Sequence, residues 1–556
     1  MPPLDPLWEE FKQARKDVLA TDPAMIAPNL PDDVIATDKP LEPEWDPQIG
    51  RPLNQPPAPL PLAETPPHRL VALGDSLTHG FQSGAIFNTD LSYPAIIAYE
   101  LGWYDQFRRP TYPGLGGIPL NIELLLRKLE RSFGAEINWW ELAPATFTVR
   151  QHMAEVEDWW ERGPGARVPN VAGLNHNLAV YGWDLRDALS RTAAVCAAAI
   201  KRPKDQLFMQ LVENANERAA LRVFNSEGKK SDARAGLTVL DMARQMGEEG
   251  AGGQPGIETL IVFLGANNAL GSVLSLQVNW SGDGYDKLDK KTGYNVWRPT
   301  HFKNELELLA AEVRQIKARH VVWCTVPHVT IAPIARGVAR KLAPGSRYFP
   351  YYTRPWILDG QFDAKDDPHL TGAEARAIDS AIDQYNYAIR RLVRAEREAG
   401  RDWLLFDVAG LLDRLACRRY EDDPAARPVW WRKYELPPEL TMLDPTPDSR
   451  FFTSDATGRR LSGGLFSLDG VHPTTVSYGI LAQEFINIMQ QHAAVTFYMG
   501  DGVTPRTGPV KVNFKRLIAQ DSLVADPPKQ IAADLRLLGW ADQRLDLLRR
   551  LLRVGY

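Results

Sequence analysis

Arg69-Leu70-Val71-Ala72-Leu73-Gly74-Asp75-Ser76-Leu77-Thr78-His79-Gly80 is the stretch that decides the fold. An apolar, β-prone run over 69–73 meets a glycine-containing turn, then a serine, then a helix start. A strand feeding a helix through a tight turn is the opening of an α/β unit. It sets the Ser76 hydroxyl at the carboxyl edge of a sheet, where open α/β folds receive ligands. It also brings the Ser76 backbone N–H to a helix N-terminus, suited to a developing negative charge. Asp-Ser is also a common turn and N-cap pair, so the tetrapeptide needs company.

Four more runs of the same kind follow, at 177–181, 259–264, 320–326 and 403–408, each closed by Gly, Asn, Asp or Pro. Near-continuous apolar runs suit a parallel sheet buried on both faces. Helical patterns lie between them, at 94–101, 185–199, 302–318, 373–399 and 474–491. In the third, Leu306, Leu308, Leu309, Val313 and Ile316 form an apolar stripe. The alternation predicts a three-layer α/β/α sandwich around a five-stranded parallel sheet.

At 556 residues the chain is long for one such unit. Domains run to roughly 100–200 residues, so either about three domains or one domain with large insertions is expected. Residues 1–67 read as a Pro-rich arm with a short helix over 6–20, laid along the surface, or else as a flexible linker. The sandwich spans 68–495, with insertions at about 104–174, 205–255, 271–300, 329–372 and 411–466, because compact units use short connections. Residues 496–556 read as an extension ending in an amphipathic helix over 534–554. The insertions carry Trp139, Trp140, Trp159, Trp160, Trp280, Trp297, Trp356, Trp430 and Trp431. These either pack the insertions onto the core or line a cleft.

A net charge of −5 argues against a general nucleic-acid binder, which needs a basic face. Cys196, Cys324 and Cys417 are too few and too scattered for a disulfide framework or a zinc site. No metal-ligand spacing is present, and no metal or cofactor is expected. No leader and no run of 18 apolar residues is visible. A soluble protein is expected, cytoplasmic by default, or secreted if a leader has been removed.

The second chemical signal is Ser467-Leu468-Asp469-Gly470-Val471-His472-Pro473-Thr474. Asp469 and His472, three apart in a loop, can face one point. His472 can then serve as general base and acid, with Asp469 orienting it and stabilising its imidazolium. Asp407, closing the fifth run, is the rival acid.

In this order the motifs resemble those of the SGNH hydrolases, also called the GDSL lipase/esterase family. Gly74-Asp75-Ser76-Leu77 is similar to the nucleophile block. Asn177-Leu178-Ala179-Val180-Tyr181-Gly182 is similar to the second block, whose glycine N–H serves an oxyanion hole. Gly265-Ala266-Asn267-Asn268 is similar to the third block, whose Asn side chain is another donor. Asp469-Gly470-Val471-His472-Pro473 is similar to the last block. Ser92-Tyr93-Pro94 adds to the likeness, which covers less than half of the chain.

The resemblance implies a flavodoxin-like fold, a Ser76–His472–Asp469 triad and an oxyanion hole of Ser76, Gly182 and Asn267. Where the family carries Asp, this chain has Asn268, which alters a supporting hydrogen bond. Gly114, in Tyr112-Pro113-Gly114-Leu115-Gly116-Gly117, rivals Gly182 but has no apolar strand before it. His79, Trp183, Asn268 and His328 are candidate pocket residues; a structural role is the alternative for each. The implied activity is ester hydrolysis through an acyl-enzyme, on a small-molecule, lipid or glycan ester. An acyltransferase on the same site, or a silent binding protein of the same fold, are the alternatives.

Overall fold

A computed structural model describes residues 4–50, 53, 56–169, 171–201 and 211–531. The expected helix over 534–554 lies outside these residues. Four strands form the central sheet: β1 (His68–Gly74), β2 (Ile257–Phe263), β3 (Ala318–Cys324) and β4 (Trp403–Phe406). They are parallel and lie side by side in chain order. Every residue of β1 and β2 is buried, as near-continuous apolar strands require when both faces are covered.

Alternation along the strands divides the core in two. Leu70, Ala72, Ile261, Phe263, Val322 and Leu404 pack with the helices Tyr93–Glu100 and Thr475–Gln491. Val71, Leu73, Leu260, Val262, Val321 and Leu405 pack with Pro299–Val313 and Gly372–Glu398. Helices therefore flank both faces. The expected helix over 185–199 is two, Leu185–Ser190 and Ala193–Ala199. Thr192 breaks it by capping the second piece through the Val195 N–H.

The sheet has four regular strands where five were expected. The run at 177–181 does lie along β1. Ala72 N–H donates to His176 O, while Leu178 and Val180 N–H donate to the carbonyls of Ala72 and Gly74. Only one regular bridge closes, Ala72 with Asn177. Asn177 is turned to local use: its amide donates to Thr78 O and accepts the Ala179 N–H. A side chain that bonds nearby backbone competes with the ladder, so the run is an edge chain and not a full strand.

The insertions add two small antiparallel sheets and the long helix Leu142–Glu161. Several of their tryptophans are packing residues. Trp160 is fully buried and donates to Gly117 O, and Trp431 donates to Asp413 O. Beyond 495, Phe497, Val510, Val512, Phe514 and Leu517 join the core beside Thr475–Gln491.

The Pro-rich arm is docked along its length over 33–47. Ile35 N–H donates to Gln384, Leu41 N–H to Asp383 and Glu44 N–H to Asp407. Pro47 O then accepts the Leu405 N–H at the free edge of β4. Ahead of the arm, Trp8 and Phe11 of the helix Pro6–Ala14 are fully buried, and the Trp8 indole donates to Thr300. Emptying the Trp8 site removes both packing and that bond. Trp8→Ala should cost about 3–5 kcal/mol of unfolding free energy in a denaturant titration.

Candidate active site

The turn that carries Ser76 is held by steric necessity. A Cβ on Gly74 would fall 2.1 Å from the Thr78 hydroxyl, so the close approach of turn to helix needs glycine. Asp75 caps the short helix Ser76–His79 by accepting the Leu77 N–H at 3.0 Å. Ser76 starts that helix immediately beyond the carboxyl end of β1 and is 5% exposed. Burial pushes the Asp75 carboxyl up to about 7.

The loop 467–472 closes on itself through Ser467 N–H to His472 O and Gly470 N–H to Ser467 O. Gly470 has φ +66°, and a Cβ there would meet the Phe451 ring and the Ile334 backbone. In this fold of the loop His472 Nε2 lies 2.8 Å from Ser76 Oγ, and His472 Nδ1 lies 3.0 Å from Asp469 Oδ2. Asp469 Oδ1 accepts the Val471 and His472 N–H groups, each at 2.9 Å, and Oδ2 also accepts the Gly84 N–H. Burial alone would raise the Asp469 carboxyl. The imidazole and the backbone donors overcome this and hold it below the ordinary range. An ionised Asp469 takes the Nδ1–H, which leaves the Nε2 lone pair facing the serine hydroxyl. Phe81 packs on the imidazole with ring centroids 4.5 Å apart.

The rival acid, Asp407, serves elsewhere. It accepts from Thr325, the Gly410 N–H, Arg390 and the arm residue Glu44. Gly114 packs against the Trp159 indole.

The two proposed oxyanion donors flank β1. Gly182 follows the edge run on one side, and Asn267 follows β2 on the other. Gly182 adopts φ +74°. Asn267 Nδ2 donates to Trp183 O at 2.9 Å, which ties the two turns together. An amide nitrogen carries two protons, so this bond fixes the group and leaves a second donor.

Of the four candidate pocket residues, His328 alone borders the cavity at Ser76. His79 is fully buried behind the turn, with Nδ1 accepting the Tyr181 N–H and Nε2 bonded to the Tyr112 hydroxyl. Its pKa falls to about 3 because burial disfavours the charged form. It is a positioning residue for the Tyr181–Gly182 turn. Trp183 is 1% exposed and donates its indole N–H to Asn216. Asn268 is fully buried. It accepts weakly from Leu185 N–H at 3.4 Å, and its Nδ2 has no partner among the described residues.

The cavity itself is about 120 Å³ and almost wholly apolar. Beside Ser76 and His472 it is walled by Leu270, Val408, Leu411, Leu415, Ile480 and Leu481. Sequence reasoning missed the wall formed by the helix Val408–Leu415. Its signal was present: Leu411, Leu412 and Leu415 make an apolar stripe directly after β4. Among the described residues no cluster of His, Cys, Asp or Glu is arranged to hold a metal ion.

His328 makes its bonds on the side away from Ser76. Nε2 lies 3.0 Å from Asp383 and Nδ1 3.4 Å from Asp413, both carboxylates being buried. Burial would lower its pKa, but Asp413, Asp379 and Asp383 together raise it to about 10. A cation in this position stabilises the fold below pH 6.5, and that contribution fades as pH rises through about 10. His328→Ala leaves two buried carboxylates short of a counter-charge and should cost about 3–5 kcal/mol near neutrality. The gap from the unsubstituted protein in urea titrations should narrow from pH 6 towards pH 10; an equal gap at both pH values would refute a charged His328.

Set against known families, the chain matches no family model, and a search of curated proteins returns no match.

Proposed function

We propose that this protein is a serine ester hydrolase of the SGNH type. The observation that carries the reading is the unbroken Ser76–His472–Asp469 chain of hydrogen bonds at 2.8 and 3.0 Å. If the edge run at 177–181 is counted as a strand, the sheet acquires the five strands of that family's flavodoxin-like fold.

The acid, base and nucleophile act in sequence. His472 Nε2 removes the Ser76 proton as Oγ attacks the ester carbonyl. The carbonyl oxygen, now negative, accepts from the backbone N–H of Ser76 and Gly182 and from the second amide N–H of Asn267. His472 returns the proton to the departing alcohol, leaving an acyl group on Ser76. Water, deprotonated by the same imidazole, releases the acid. Asp469 stays ionised throughout and stabilises the imidazolium.

The apolar cavity supports an aliphatic acyl group over a sugar ring, since almost no polar surface lines it. Each methylene buried there is worth about 0.8 kcal/mol, or about fourfold in kcat/KM. Activity on p-nitrophenyl esters should therefore climb from acetate until the cavity is full, then fall. A flat or acetate-led series would overturn the acyl assignment.

Ser76→Ala should lower kcat on the order of 10⁶-fold. An alkyl phosphonate should add once to the unsubstituted protein and not to Ser76→Ala, read by intact mass. Asp469→Asn should cost about 10⁴ in kcat, because the imidazole loses its required tautomer. Asn267→Ala should cost about 10²–10³ in kcat with KM little changed. Full esterase activity in Ser76→Ala would dispose of the mechanism.

A further inference from the structure

Behind the loop that follows β3 lies a second, larger cavity of about 450 Å³. Val329 and Ala332 line the first cavity, Thr330, Ile331 and Pro333 line the second, and Ser449 borders both. The loop is thus the partition between them.

The charges on the second cavity are one-sided. Arg336, Arg347, Arg418, Arg419 and Arg450 line it, against the single carboxylate of Asp422. Some of these arginines are answered from behind. Arg336 pairs with Asp359, Arg450 with Asp448 and Asp422, and Arg419 with the buried Asp379. Arg418 donates to the Gly337 carbonyl, and its guanidinium lies over the Phe349 ring.

Arg347 is different. It is 3% exposed, and none of its three guanidinium nitrogens makes a well-formed hydrogen bond. The Asp383 carboxylate is 3.9 Å away, too far for one, and Asp383 is already bonded to His328. A guanidinium cannot escape by losing its proton. Its nitrogens are closed off from the cavity, so Arg347 contributes a buried positive charge behind the wall, beside Asp383. The excess of arginine over carboxylate and the rings of Trp356 and Phe451 define what would fit. The complement is a compact anion rich in acceptor oxygens, attached to an apolar or ring-bearing group. Phosphoryl oxygens match guanidinium forks two at a time.

We propose that this second cavity binds a phosphoryl-bearing small molecule, its oxygens held by Arg418 on the arginine-rich wall, with the buried charge of Arg347 behind it and its organic part against the Trp356 ring. The site is separate from Ser76 and does not depend on the ester chemistry assigned there.

Isothermal titration of the full chain with phenyl phosphate, inorganic phosphate and phenol tests it at physiological ionic strength. Phenyl phosphate should bind saturably at one site, inorganic phosphate more weakly, and phenol not at all. Arg347→Gln, which removes the buried charge, should weaken phenyl phosphate severalfold. Because Arg347 also faces Asp383, Arg418→Gln is the second variant. Arg418 pairs with no carboxylate among the described residues, so the variant's melting temperature should fall only slightly while phenyl phosphate binding falls severalfold. Ser76→Ala should bind as the unsubstituted protein does. Absence of saturable binding, equal affinity in a folded Arg418→Gln, or loss of binding in Ser76→Ala would each overturn the proposal.

Discussion

The carboxylate of Asp469 accepts four hydrogen bonds with no exposure to water. A buried charge of this kind is tolerable only when its oxygens are fully engaged. Each partner therefore constrains the others. Two bonds set the shape of the loop 467–472, and one reaches across to Gly84 in the small sheet built from Phe81–Gln82, Ala85–Ile86 and Ile118–Pro119. The fourth aims the imidazole at Ser76. The core helix Thr475–Gln491 begins directly after this loop. One satisfied ion thus links the first strand's turn to a core helix nearly four hundred positions later.

A second pattern is the use of buried charge away from the serine. His328, Asp379, Asp383, Asp413, Arg347 and Arg419 form a desolvated cluster under the loop that follows β3. Such clusters contribute less to net stability than their Coulomb attraction suggests, because each ion has left water. They do penalise any rearrangement that separates the partners. The cluster therefore makes the partition between the two cavities stiff, and a stiff partition keeps an apolar pocket and a cationic one from merging.

The core of the fold could be read directly from the chain. Runs such as 69–73 and 259–264 are apolar along their full length, and only a doubly covered parallel strand accounts for that. The run at 177–181 shows the limit of the reading. Its apolar residues match a strand, but Asn177 spends its side chain on nearby backbone, and no periodicity reveals that choice. Ser76, Asp469 and His472 were legible as a candidate constellation because each stands in or beside a tight turn that brings it to one point. His79 and Trp183 were legible only as neighbours of the site. Whether an aromatic or a histidine touches the cavity or stands behind it depends on the rotation of a turn. The second cavity was not legible at all: its arginines come from separate segments around 336–347, 418–419 and 450, each with an ordinary local charge pattern.

The strapping of the Pro-rich arm bears on how the chain matures. The bonds from Ile35 to Gln384 and from Glu44 to Asp407 join residues 349 and 363 positions apart. At ribosomal speeds of about 5–20 residues per second, the arm waits on the order of tens of seconds before its seat exists. Throughout that interval Trp8 and Phe11 have no core to enter, and the edge of β4 has not been made. Contacts so distant in sequence also form slowly once both ends are present. The nascent chain therefore carries the apolar face of the helix Pro6–Ala14 bare until the segments bearing Thr300 and Tyr387 have been made.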